Sequence, residues 1–162
     1  MKKIEIALAV MATVLTSASC VSSKFGSKDH QHLSSVKIGG KKVKYQMGHN
    51  YFFRNDTEIP QESLITSQAD FERLFSPAAT MGKNGTPTKI DFSKQMVIGV
   101  ALPATNDYKE IEPIALTCQG SELTLSYRVK LGQRGMSYTM RPMLLLVIDK
   151  IEGVGHCELR EM

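Results

Sequence analysis

Cysteine and histidine are the side chains best suited to chemistry near neutral pH, and this 162-residue chain has three of the first and four of the second. A cysteine can act as a nucleophile, a metal ligand, half of a disulfide or an acceptor of lipid. Cys20 directly follows Thr16-Ser17-Ala18-Ser19, a run of small residues of the kind a processing peptidase reads. Cys118 and Cys157 stand far downstream, with His156 immediately before Cys157. Neighbouring side chains on a strand point to opposite faces, so His156 and Cys157 are not expected to form a nucleophile–base pair. If Cys20 carries lipid, the other two are an even pair. They are expected either to bridge, closing a loop of about 40 residues and contributing roughly 3–4 kcal/mol in the chain-entropy picture, or to stay buried as small apolar thiols.

The remaining chemistry is sparse. Asp29, His30 and His32 have chelating spacing but lie in a polar Ser- and Lys-rich stretch that offers neither fixed geometry nor supporting partners. No metal site and no cofactor are expected from them. A nucleophile elbow and an HExxH helix are both missing from the sequence. Glu110 and Glu112 would share one strand face as solvated carboxylates. No catalytic set emerges, and the expectation is a protein that is not an enzyme.

The elements that would position these residues begin with an export signal. Lys2 and Lys3 precede the apolar run Ile6–Leu15, which falls short of the roughly 20 residues a bilayer-spanning helix requires. Small residues before Cys20 resemble the lipobox of bacterial lipoproteins, although Ser17 stands where that pattern usually has leucine. The resemblance implies a signal peptide over 1–19, lipidation of Cys20 and anchorage to the outer membrane facing the periplasm. The alternative is ordinary cleavage near Ala18 and a released protein. Residues 20–35 read as a flexible tether and 36–162 as one β-rich domain.

Charge divides along the same line. Residues 20–50 hold six lysines against Asp29 alone, net +5, whereas 51–162 carry net −2. The basic balance therefore belongs to the stretch beside the anchor, which either lies against anionic headgroups or serves as a solvated linker. A basic face with interleaved aromatics is missing, which argues against nucleic acid as a partner.

Within the domain, Val36–Ile38 and Val43–Tyr45 alternate around Gly39-Gly40 and predict a hairpin. Ser67 caps a short helix over about 67–76, with Phe71, Leu74 and Phe75 on one face and Pro77 as its stop. Met96–Leu102 and Met143–Ile148 are apolar strands. Leu123, Leu125, Tyr127, Val129 and Leu131 alternate with polar residues over nine positions, the period of a half-buried strand. Ile111–Cys118 precedes it across a turn, and Val154–Leu159 closes the chain. The fold class is mainly β, a small antiparallel β-sandwich or open barrel with one short helix.

The stretch around Phe71, Leu74-Phe75 and Ile90-Asp91-Phe92-Ser93-Lys94-Gln95-Met96-Val97-Ile98-Gly99-Val100 resembles the PrcB-like C-terminal domain family, over roughly residues 62–150. That family is named for a lipoprotein associated with a bacterial surface protease complex. Tyr108 falls where the family's tyrosine follows its loop, but Ala104-Thr105-Asn106-Asp107 replaces the usual Thr-Gly-Gly. The resemblance implies a protein-interaction or accessory role around envelope proteases.

A weaker likeness is to chagasin-type cysteine-protease inhibitors. It rests on Thr105-Asn106-Asp107-Tyr108, Gly132-Gln133-Arg134-Gly135 and Arg141-Pro142-Met143 in that order, the first without the family's proline and glycine and the chain without its tryptophan. It implies direct protease inhibition as an alternative function; carriage of a small ligand is a third reading. These loops are the candidate binding residues, because Gly132 and Gly135 frame a tight turn with Arg134 at its tip and Arg141-Pro142 stiffens the next strand's entry.

Overall fold

A computed structural model describes residues 40–78 and 85–162. The expected signal peptide and tether, Cys20, Asp29, His30, His32 and the first arm of the expected hairpin at 36–38 lie outside them. All described residues belong to one compact unit.

Two four-stranded sheets and a two-stranded ribbon make up the domain. The first sheet has the order β1 (Lys41–Lys42), β7 (Lys109–Gln119), β8 (Glu122–Leu131), β10 (His156–Glu161). The second has the order β2 (Gln46–Met47), β9 (Met143–Asp149), β6 (Gln95–Ala101), β4 (Leu64–Ile65). The ribbon pairs β3 (Tyr51–Phe53) with β5 (Phe75–Pro77). Mainly β architecture in open, stacked sheets is what the alternation of apolar and polar residues predicts. One pair departs from the antiparallel rule: β10 runs parallel to β8. The chain leaves β8, crosses to the second sheet as β9, and returns in the original direction.

Leu123, Leu125 and Tyr127 on β8 pack against Met96 and Ile98 on β6 and Leu144, Leu146 and Ile148 on β9, forming the core between the sheets. Val97, Leu145 and Val147 point the other way, into a second core with Phe53, Phe71, Leu74 and Phe75. The second sheet is thus covered on both faces, which is why β6 and β9 read as unbroken apolar runs while β8 alternates.

Ser67 caps α1 (Gln68–Leu74) as expected: its Oγ accepts from the Asp70 N–H at 3.1 Å and donates to the Asp70 carboxylate at 2.7 Å. The helix ends earlier than the expected 76. Phe75 takes extended geometry at φ −126° and ψ 146°, because pairing with β3 and an edge-on contact with Phe53 at 5.4 Å outweigh one more helical residue.

Val43–Tyr45 is likewise not a hairpin arm. β1 pairs with β7 and β2 with β9, so these residues carry the chain from one sheet to the other, and the Val43 N–H donates to the Leu116 carbonyl at 2.9 Å. β7 holds a bulge between Pro113 and Ala115. Ile114 is the extra residue, and the shift lets both Ile111 and Leu116 face the core.

Candidate functional site

The arrangement of the cysteines corrects an expectation. Cys118 and Cys157 are free thiols, the first half-buried and the second buried. In the β7–β8 register Cys118 lies opposite Leu123, and in the β8–β10 register Cys157 lies opposite the same Leu123. The two cysteines are therefore two strand spacings apart, about 10 Å at ~4.8 Å per spacing. A disulfide needs Cα atoms within about 7 Å. The expected bridge is not formed.

Burial pushes the Cys157 thiol up to about 11, and this makes it a poor nucleophile. His156 points outward, with its Nδ1 2.6 Å from Glu62 Oε2. The two neighbours do lie on opposite faces, as strand geometry requires. Beside them Ser63, buried, donates from its Oγ to the Cys157 carbonyl at 2.8 Å, and its backbone carbonyl accepts from the Gly99 N–H at 2.8 Å. That serine joins the two sheets, and nothing in the sequence around it marked the role.

The motif Asp91-Phe92-Ser93-Lys94 also has a local explanation. Asp91 Oδ1 accepts from the Ser93 N–H at 3.0 Å and from its hydroxyl, while the Asp91 carbonyl accepts from the Lys94 and Gln95 N–H groups. Hydrogen bonds from Ser93 hold the Asp91 carboxyl below its ordinary range. Phe92 packs on Phe71 of the helix at 5.7 Å. The motif is a turn that launches β6 and pins it to α1. Glu112, one of the two solvated carboxylates, is held by Arg128 and Lys130 on the neighbouring strand.

The candidate binding loops meet. The connection from β6 to β7 and that from β8 to β9 run side by side and are laced by backbone hydrogen bonds. Thr105 and Met140 exchange two bonds of 2.9 Å, the Asn106 carbonyl accepts from the Met136 N–H at 2.7 Å, and the Gln133 carbonyl accepts from the Tyr108 N–H at 2.8 Å. Asp107 Oδ1 accepts from the Gly135 N–H at 2.9 Å. Gly135 takes φ +64°, as a turn glycine should. Gly132 is needed for a different reason: a Cβ there would sit 2.7 Å from the Tyr108 ring. These bonds hold two loops as one rigid cap at the end of the sandwich, with Arg134 exposed at the tip.

Arg141 and Pro142 do not belong to that exposed set. The Arg141 guanidinium donates to the Thr57 carbonyl at 3.0 Å and lies 5.3 Å from the Phe53 ring centre. Pro142 is fully buried. The long side chain reaches inward to the Phe53 ring and the Thr57 carbonyl, which lie behind the loop. Of the three loops in the inhibitor likeness, the third is therefore committed to the domain itself.

Beside the cap a recess of about 370 Å³ opens between the sheets, lined among others by Met47, His49, Tyr108, Ile111, Met140 and Met143. Sequence reasoning missed its methionines. The signal was nine methionines in a chain without tryptophan, since flexible thioethers suit adaptable surfaces.

No protein-family model, no curated protein and no solved structure matches this chain.

Behind Ile59–Ser63 a cavity of about 80 Å³ reaches the core, short of the roughly 300–1,000 Å³ typical of ligand pockets, a range that the 370 Å³ recess beside the cap does reach. Among the described residues, no group of three or more His, Cys, Asp or Glu side chains is placed to hold a metal. The loop cap instead combines a fixed backbone with exposed Tyr108, Leu131 and Tyr138, and such a combination is suited to recognition of another macromolecule.

Proposed function

We propose that this chain is a non-catalytic bacterial envelope lipoprotein, acylated at Cys20, whose domain binds a protein partner through the loop cap as an accessory of an envelope protease. The observation that carries the reading is the pairing of the two loops. Hydrogen bonds from Thr105 to Met140 fix the backbone before any partner arrives, so little ordering cost remains to be met on association. The groups left outward suit an interface core: Tyr108 is 43% exposed, Tyr138 58% and Leu131 63%, and Arg134 in the same β8–β9 connection as Tyr138 is exposed as well. Tyrosine and arginine are the side chains most often decisive in such contacts. The likeness of residues 62–150 to the PrcB-like family points to a protease complex as the partner, and the lipobox-like start supports placement at the outer membrane facing the periplasm.

The test is site-specific photocrosslinking in intact cells. A photoreactive residue at Tyr138 should capture one defined envelope protein, and Arg134→Ala should abolish the adduct. The same probe at Ser121, on the turn between β7 and β8, should capture nothing of that mass. Equal capture at both positions, or none at Tyr138, would refute the reading.

A further inference from the structure

The end of the domain opposite the loop cap has its own chemistry. Lys41, Lys42 and Lys44 line a cleft of about 620 Å³ together with Cys118, Gly120 and Ile151, with Asp149 as its carboxylate. All three lysines are exposed, and none has its charge matched by an ion pair among the described residues. Gly40, where the described chain begins, lies against the Cys118 carbonyl. The lysines therefore lie beside the point at which the described residues begin.

Distance separates this cleft from the cap. Tyr108 and Cys118 stand at the two ends of β7, ten residues apart, or roughly 33 Å at 3.3 Å per residue. Charge marks the cleft too: three lysines, Lys41, Lys42 and Lys44, face one carboxylate, Asp149, among its lining residues, so an anionic surface would attract this end.

We infer that this basic end is a bilayer-facing surface that engages anionic phospholipid headgroups and turns the loop cap away from the membrane. The connection from Cys20 to Gly40 cannot set that orientation by itself, because 20 residues reach up to about 70 Å when extended. Each lysine near an anionic leaflet contributes about a fivefold gain in attachment, so three acting together bias the orientation strongly. The inference does not depend on the partner at the loop cap. Lysines on a short edge strand also guard against strand-to-strand pairing, and the experiment must separate that role from lipid contact.

The chain has no tryptophan, which makes the measurement clean. Full chain purified from membranes, with Ser121→Trp at the lysine end or Ser137→Trp at the loop cap, is mixed with vesicles of brominated phosphatidylcholine with and without phosphatidylglycerol. Flotation reports attachment and quenching reports orientation. Tryptophan at 121 should be quenched when phosphatidylglycerol is present, and tryptophan at 137 should not. Lys41→Gln, Lys42→Gln and Lys44→Gln together should remove the phosphatidylglycerol dependence, at about fivefold per lysine.

Equal quenching at both positions overturns the inference, as does quenching at 121 that ignores phosphatidylglycerol. So does a triple variant that self-associates while binding lipid as before, the outcome expected of edge protection. If flotation shows no attachment to phosphatidylcholine alone, the acyl anchor is at fault. The lysine surface is then judged by phosphatidylglycerol-dependent flotation, and its absence sinks the inference.

Discussion

Cys118 and Cys157 share one register partner, Leu123, which stands between them in the first sheet. Strand spacing of ~4.8 Å then forbids a bridge without moving β8 out of the sheet. Both thiols should be alkylated when the protein is unfolded without reductant. In the folded protein Cys118, half-buried, should react first. Cys157, buried and raised to about 11, should wait for unfolding. A non-reducing peptide map showing a Cys118–Cys157 linked species would contradict this placement.

The Glu62–His156 pair ties the segment before β4 to the first residue of β10. The hydrogen bond to Glu62, then its charge, raises His156 above its ordinary 6.5. For Glu62, burial pushes the carboxyl up, but the hydrogen bonds from His156 and the Leu64 N–H outweigh it and leave the carboxyl below 4.5. Histidine's contribution is complete below about 6.5 and is lost as pH rises through its raised folded value. Glutamate's is complete above about 4.5 and is lost as pH falls through its lowered one. The pair thus stabilises most between those limits. Thermal melts across pH 4 to 8 should show stability falling on the alkaline side, and His156→Ala should flatten that slope. An unchanged slope in His156→Ala would mean the pair does not hold in solution.

Tyr108 and Gly132 set the spacing of the two loops in the cap. A Cβ at 132 would come within 2.7 Å of the tyrosine ring, so Gly132→Ala should destabilise by about 1–3 kcal/mol through overpacking. Adding Tyr108→Ala removes the obstacle, and the double variant should recover a large part of the loss. Additive losses in that cycle would show that the two residues do not touch.

Much of this architecture was readable because it rests on periodicity. Leu123 to Leu131 alternates and became β8; Ser67 with Asp70 signalled the helix start. What escaped depends on residues far apart in the chain. Phe75 has helical spacing from Phe71, and only pairing with Phe53 makes it a strand residue. An even cysteine count suits a bridge, and only the register around Leu123 excludes it. The loops were recognisable from Gly132, Arg134 and Gly135, yet their lacing through Thr105 and Met140 has no local signature. The same holds for Arg141, whose partner Thr57 is 84 residues away.

Arg134 and Arg141 look alike in sequence, each in a loop beside a glycine or proline, and the structure assigns them opposite consequences. Arg141 binds the Thr57 carbonyl at 3.0 Å and faces the Phe53 ring. Replacing it with alanine leaves that carbonyl without its donor and removes a cation–π contact, at a cost of about 1–3 kcal/mol. Arg141→Lys should recover only part of this, because an ammonium lacks the planar fork that spans both groups. Arg134 is exposed and makes no hydrogen bond or ion pair among the described residues. Its replacement by alanine should leave stability within about 0.5 kcal/mol while abolishing the Tyr138 crosslink. Denaturant unfolding and crosslinking on the same two variants separate the roles. If Arg134→Ala unfolds early, or Arg141→Ala melts like the parent while losing the partner, the loop cap is built the other way round.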